Sequence, residues 1–323
     1  MATYSLQPLI FSALLIFSIP THAQNFPAIS VSEVSRIEKT LASDDMQGRK
    51  VYTAGIEKAA AFIIREFRDA GLQPFPGTTD FTQNFTMTGS GSKSAGSSQN
   101  LTNLIGIIPG STKPDEYIIF SAHYDHLGIG KPDAAGDSIY NGANDDASGV
   151  TAVITLANYF HKLHSNKRTL VFVAFTAEET GEYGSSYFSK TIDAGKVIAM
   201  FNIEMIGTQS KWGANSAFIT GYDKSDIGVI LQKNVSNRSF TFYPDPYPQQ
   251  KLFLRSDNAP LARLGIPAHT ISTAKMDAEK LYHNRGDEVE TLDLNNMTEI
   301  IRAIGMGTGS VISGSDTPLR ITF

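Results

Sequence analysis

The sequence predicts an α/β fold, a single domain with a mostly parallel central mixed sheet flanked by helices. Short apolar runs at 104–108, 117–121, 170–175, 198–203 and 268–271 read as strands buried on both faces. Stretches with apolar residues at helical spacing lie between them, and such alternation implies parallel strands covered by helices. The chain is 323 residues long, which permits one large domain or two modest ones, and no internal repeat divides it.

Residues 1–23 carry no charged side chain and contain an apolar run at 9–19. That run is shorter than the roughly 20 residues needed to cross a bilayer. It suits the apolar part of a signal peptide, with Thr21-His22-Ala23 as the cleavage site ahead of Gln24, although no Lys or Arg precedes it. The expectation is an exported protein, periplasmic or secreted, with no stable membrane anchor and a mature domain over 24–323. A buried N-terminal helix is the alternative.

Residues 29–41 are amphipathic and are broken by Ser43-Asp44-Asp45 and Gly48. A second helix runs over 56–70, where Ala59, Phe62, Ile63 and Phe67 recur at helical spacing and Gly71 is placed as a C-cap. The polar stretch 88–99, rich in Gly and Ser, reads as a surface hairpin or insertion within one domain. Further helices are marked by Val150, Val153, Ile154, Ala157 and Phe160, by Ile227, Ile230 and Leu231, and by Ile300, Ile301 and Ile304. The aromatic segment 240–247 either walls a side-chain pocket or packs as a surface loop.

Composition narrows the chemistry. Hydrophobic residues make up 41% and charged residues 18%, as in ordinary soluble proteins. A net charge of −5 argues against a nucleic-acid partner. The chain has no cysteine, so disulfides, thiolate metal sites and cysteine nucleophiles are excluded, and any metal must be held by nitrogen and oxygen.

Five polar motifs end or follow the predicted strands, where open α/β sheets assemble their sites. His123 and Asp125 stand two apart at a strand end, so both can face one cavity. Imidazole and carboxylate are the expected zinc ligands where thiolates are absent. Alone, a His-x-Asp pair is more often a surface feature, and the neighbouring His126 reads as a supporting residue. Asp145 and Asp146 lie in a small-residue turn ahead of the Val150 helix. One reading makes Asp146 or Ser148 an N-cap; the other gives Asp145 to two metals about 3.5–4 Å apart. Glu178 and Glu179 leave the 170–175 strand pointing in different directions, so one can bind metal while the other reaches a water; the bland alternative is an exposed acidic loop. Glu204 follows the 198–203 run, where an unpartnered acid is badly placed. His283, far downstream beside Tyr282, closes the set.

With these residues the chain resembles the two-zinc exopeptidase family of bacterial leucine-type aminopeptidases and glutamate carboxypeptidases, whose distant members include glutaminyl cyclases and the metal-free transferrin receptor. The segment 41–49, Arg255-Ser256-Asp257 and Gly265-Ile266-Pro267-Ala268 resemble family segments in the same order, so the likeness covers essentially everything after residue 23. The resemblance implies that His123, Asp145 and Glu204 hold one Zn2+ and Asp145, Glu179 and His283 a second. It implies Glu178 as general base, Asp125 as the residue orienting His123, Tyr282 as an aid to the oxyanion, and a cis peptide between Asp145 and Asp146. Two positions depart from the pattern: Glu204 stands where many relatives carry Asp, and Asn258 where His is frequent.

The implied function is a metal-dependent aminopeptidase acting on peptides with a free N-terminus. A carboxypeptidase or dipeptidase would need a cationic clamp, for which Arg255 and Arg285 are the candidates. A glutaminyl cyclase makes no use of a second metal, and a receptor-like module would have lost ligands.

Overall fold

Within the apolar runs, side chains alternate between two cores. Ile118, Phe120 and Ala122 pack into one cluster with Leu170, Phe172, Ala199 and Phe201, whereas Ile119 joins Val171, Val173 and Met200 in the other. A strand apolar on both sides belongs in the middle of a sheet covered on both faces, and the computed structural model places it there. The structure describes residues 1–2, 28–88, 98–278 and 280–323. The export signal expected over 1–23 lies, from Thr3 onward, outside the described residues.

In chain order the strands are β1 (Gln73–Pro74), β2 (Thr82–Thr88), β3 (Ser98–Ile108), β4 (Lys113–His123), β5 (Gly128–Ile129), β6 (Ile139–Tyr140), β7 (Arg168–Phe175), β8 (Val197–Ile203), β9 (Ser216–Ile219), β10 (Thr241–Pro244) and β11 (Ala268–Ser272). The main helices are α1 (Val31–Leu41), α2 (Ala54–Asp69), α3 (Ser148–Leu163), α4 (Tyr183–Thr191), α5 (Ile227–Asn234), α6 (Ala259–Ala262) and α7 (Leu294–Gly307). The large sheet runs β1-β3-β7-β4-β8-β11-β9-β10, with β2 paired to β3 outside that path. Its centre, β7-β4-β8-β11, is parallel. On the flanks β3 meets β7 and β9 meets β11 antiparallel.

The predicted helices form where their caps allow. Ser30 Oγ accepts the Glu33 N–H at 3.2 Å at the start of α1, the Ser-x-x-Glu arrangement of a helix N-terminus. Gly71 ends α2 with φ +77°, a conformation that costs a glycine nothing. The 88–99 stretch joins paired strands, since Thr82↔Leu104 and Thr88↔Ser98 are in register; residues 89–97 themselves lie outside the described residues.

Some elements escape the sequence pattern. β9 is only four residues long, and α4 has the sequence Tyr-Gly-Ser-Ser-Tyr-Phe-Ser-Lys-Thr, poor in helix formers. Tertiary packing holds α4 instead: Phe188 is fully buried edge-on against Phe175, 5.5 Å between ring centroids. The segment 240–247 contributes Phe240 and Phe242 to the core and β10 to the sheet edge. Among the described residues no helix is long and apolar enough to cross a membrane.

Phe120 is the centre of the larger core, stacked on Phe160, Phe172 and Phe201 at 5.5, 5.6 and 5.5 Å. Phe120→Ala is expected to lower the unfolding free energy by about 3–5 kcal/mol, measured by chemical denaturation; a loss under about 1 kcal/mol would contradict this packing role.

Candidate metal centre

Four parallel strands deliver the polar motifs to one edge of the sheet. β4 ends on His123, β7 runs out into Glu178 and Glu179, and β8 stops one residue before Glu204. Asp145 precedes α3, and His283 enters from the loop between β11 and α7. Three non-glycine residues beside these acids and bases adopt left-handed backbone: Ala177 (φ +59°), Met205 (φ +52°) and His283 itself (φ +54°). Such conformations collect where a site dictates the backbone.

Asp145 stands at the focus. Its Oδ1 is 3.2 Å from His123 Nε2, and its Oδ2 is 3.4 Å from His283 Nε2. Glu179 joins on the second side, with Oε2 2.9 Å from His283 Nε2 and Oε1 2.6 Å from His126 Nδ1. His126, Asp145 and Glu179 bring ligand-type atoms within 4.8 Å of one another. Tyr282 stacks on His283 with ring centroids 3.9 Å apart. The Glu204 carboxylate receives the Ser256 hydroxyl, and Ser256 in turn accepts from Asn202 Nδ2 at 2.8 Å.

One expected role changes in detail. The Asp125 carboxylate stands 3.9 Å from His123 Nδ1, beyond hydrogen-bond reach. The main-chain carbonyl of Asp125 takes that nitrogen instead, at 3.1 Å. Its carboxylate accepts the Glu178 N–H at 3.1 Å and so joins the end of β4 to the loop after β7.

Supporting residues surround this focus, among them Asp146, which the sequence offers as a helix N-cap and which does accept the Gly149 N–H of α3. Asp146 acts as a knot: its oxygens accept from His123 N, Gly149 N and Met205 N at 3.3, 3.0 and 3.1 Å. Asp287 accepts the Asn144 and Asp145 N–H groups at 2.8 and 3.0 Å. Arg49 is buried and donates to the carbonyls of Leu41, Tyr124, Asn141 and Gly142 at 2.8, 3.0, 2.6 and 2.9 Å, clamping the chain beside His123 and ahead of Asp145. The Asp145–Asp146 peptide is cis, as the resemblance implies.

The profile of peptidase family M28 matches residues 103–307, which include all of these candidate ligands. The chain belongs to peptidase family M28. A probable zinc metalloprotease of Pyrenophora tritici-repentis is 37% identical over 110 residues, 33% of this chain and 25% of that protein. One of Phaeosphaeria nodorum is 34% identical over 120 residues, 33% of this chain and 24% of that protein. The match thus spans about a quarter of these relatives. In fold, this M28 chain resembles a zinc aminopeptidase from Bacillus subtilis (TM-score 0.71, 14% identity, 91% of this chain and 98% of that one). It also resembles a leucine aminopeptidase precursor from Bacteroides thetaiotaomicron (TM-score 0.67, 18% identity, 90% and 99%). A glutaminyl cyclase from Porphyromonas gingivalis shares the architecture (TM-score 0.65, 16% identity, 89% and 99%).

Charge at this M28 site is badly balanced without a cation. Burial pushes Glu178 well above the usual carboxylate range, and Glu204 and Asp257 add to the effect while His123 opposes it. Glu204 is pushed up to about 7, again chiefly by burial. Burial alone would raise Asp145 too, but His123 and His283 hold it below the ordinary range. Its Oδ2 is nonetheless buried with no hydrogen-bond partner. The facing carboxylates of Asp145 and Glu179 raise His283 to about 10. A focus of imidazole nitrogens and carboxylate oxygens, with an orphaned ligand-type atom at its centre, fits zinc.

A small open cavity adjoins Glu204 and Tyr282, with Met205, Phe218, Leu252 and Met276 among its walls and Arg255 in its lining. The segment 240–247 does not wall this cavity; Tyr247 supports it from behind, edge-on to Phe218 at 6.0 Å. Arg285 is held away, donating to the Lys131 carbonyl and lying 4.9 Å over the Tyr140 ring.

The raised His283 holds its proton above neutral pH, so if His283 is a ligand, metal uptake has to displace that proton. Titration with Zn2+ between about pH 6 and 8 is expected to release protons and to tighten as pH rises. Calorimetry in buffers of different ionisation enthalpy measures this; binding with no proton release would contradict the ligand role of His283.

Proposed function

We propose that this chain is a two-zinc aminopeptidase that removes the N-terminal residue of peptides. The observation that carries the reading is Asp145, whose two carboxylate oxygens face histidines from two different segments. His123, Asp145 and Glu204 would hold one ion, and Asp145, Glu179 and His283 the other. Bound there, two zinc ions would polarise the scissile carbonyl and lower the pKa of the attacking water from 15.7 toward about 7.

The chain's own residues supply the rest. Glu178 takes the proton from the water and passes it to the leaving amine. Tyr282 directs its hydroxyl to the developing oxyanion. Glu204, which lines the cavity, receives the free α-amine of the substrate. The Met205, Phe218, Leu252 and Met276 walls accept an apolar side chain beside it.

Arg255 lines the same cavity and favours a second reading, in which a C-terminal carboxylate is clamped there and the enzyme is a carboxypeptidase. A panel of aminoacyl, N-blocked, N-terminal glutaminyl and free-carboxylate peptides separates these activities. Hydrolysis that requires a free amine supports the aminopeptidase; cleavage of N-blocked peptides from the C-terminus, or cyclisation of the glutaminyl peptides without hydrolysis, contradicts it.

Glu178→Gln should keep both metals and lower turnover by about 10²–10⁴-fold or more, because an amide preserves the shape but cannot accept the proton. Glu179→Gln should instead lose metal, since it replaces an anionic ligand with a neutral one. Metal content and kcat of the two variants decide the matter. Reversed outcomes would swap the two roles, and two fully active variants would sink the mechanism.

A further inference from the structure

His126 has no part in the ligand sets above, yet its ring is buried against them, 2% exposed. Its Nδ1 lies 2.6 Å from Glu179 Oε1 and 4.0 Å from Asp145 Oδ2. The second Glu179 oxygen, Oε2, faces His283 at 2.9 Å. The carboxylate therefore has one oxygen on each histidine. An ionised carboxylate only accepts hydrogen bonds, so the proton of this contact sits on His126 Nδ1.

Distances and partners argue against His126 as a direct ligand. Two donors on one tetrahedral zinc, with bonds of about 2.0–2.1 Å, stand about 3.3 Å apart. The 4.0 Å gap from His126 Nδ1 to Asp145 Oδ2 is wider than that, whereas His283 Nε2 stands 3.4 Å from the same oxygen. Ligating histidines nearly always give their other ring nitrogen a partner, as His123 does with the Asp125 carbonyl at 3.1 Å. His126 Nε2 is buried with no partner. Ligation through Nδ1 would strand an N–H there, whereas donation from Nδ1 leaves only a lone pair unmatched, the milder of the two costs.

The ring is also fixed in place. Gly142, in left-handed backbone with φ +56°, packs so tightly on it that a Cβ would come within 2.5 Å of His126 Cδ2. The His126 N–H is tied to the Arg49 carbonyl at 3.2 Å.

We propose that His126 is a positioning residue that retains Oε1 of Glu179, so that Glu179 offers only Oε2 to the metal. This rests on reading the site as a metal centre. Bound through one oxygen, Glu179 leaves the ion a coordination position for water or substrate, as catalytic sites require. Freed from His126, it can turn both oxygens to the ion and fill that position.

The test uses Co2+ as the probe in the full-length protein, comparing wild type with His126→Ala, His126→Asn and His283→Ala. Asparagine places an amide N–H near Nδ1 and can donate to Glu179 but is a poor ligand. His126→Ala should bind as many ions as wild type, with weaker visible cobalt bands from the added donor and kcat lower by about 10–100-fold. His126→Asn should restore both. If the alanine variant unfolds, His126→Leu fills the space and is read in the same way. Unchanged bands and kcat in His126→Ala, alongside metal loss in His283→Ala, would overturn this proposal alone. Loss of an ion in His126→Ala that His126→Asn does not repair would make His126 a ligand and overturn it too. Absence of Co2+ uptake by wild type would bring down the metal reading and this proposal with it.

Discussion

A buried carboxylate costs several kcal/mol unless its charge is met, and this protein gathers Asp145, Glu178, Glu179 and Glu204 at one sheet edge. Asp145 is the point through which the rest is organised. One oxygen faces His123 from β4 and the other faces His283 from a loop more than a hundred residues later. The left-handed backbone at Ala177, Met205 and His283 follows from the same demand, since each turns the chain sharply to bring an acid or a base to that focus.

The scaffold around Asp145 is built from hydrogen bonds rather than from further charge pairs. Asp146 knots the ends of β4 and β8 to the start of α3, and Asp287 grips the Asn144 and Asp145 amides. Arg49 reaches four carbonyls from three segments. Beneath them the Phe120 stack fixes the spacing of β4, β7 and β8. Loops on so rigid a base can hold ligands to the tolerance that catalysis asks.

The parallel centre of the sheet was legible because its strands are apolar on both faces and end in polar motifs. The candidate residues His123, Asp145, Glu179 and His283 stand out for a related reason: each is an acid or base at a strand end or in a loop. What the sequence concealed is held by distant contacts. Arg49 looks like a surface residue until Tyr124 and Gly142 fold over it, and α4 has little helix propensity apart from the packing of Phe188. The sequence marks His126 as a supporting residue, but its partner, Glu179, lies beyond a different strand, and no spacing rule announces the pair. The sequence places Asp125 beside His123 but does not show which of its oxygens bonds the ring, since main-chain and side-chain oxygens of one residue are indistinguishable in sequence.

The central proposal is that one carboxylate, Asp145, serves two ions at once. The most direct measurement is the metal content and Zn2+ affinity of Asp145→Asn beside wild type, by elemental analysis after dialysis and by titration. The account predicts that wild type retains about two ions per chain and that the substitution weakens both together. Loss of one ion, with the other held at wild-type affinity, would contradict it.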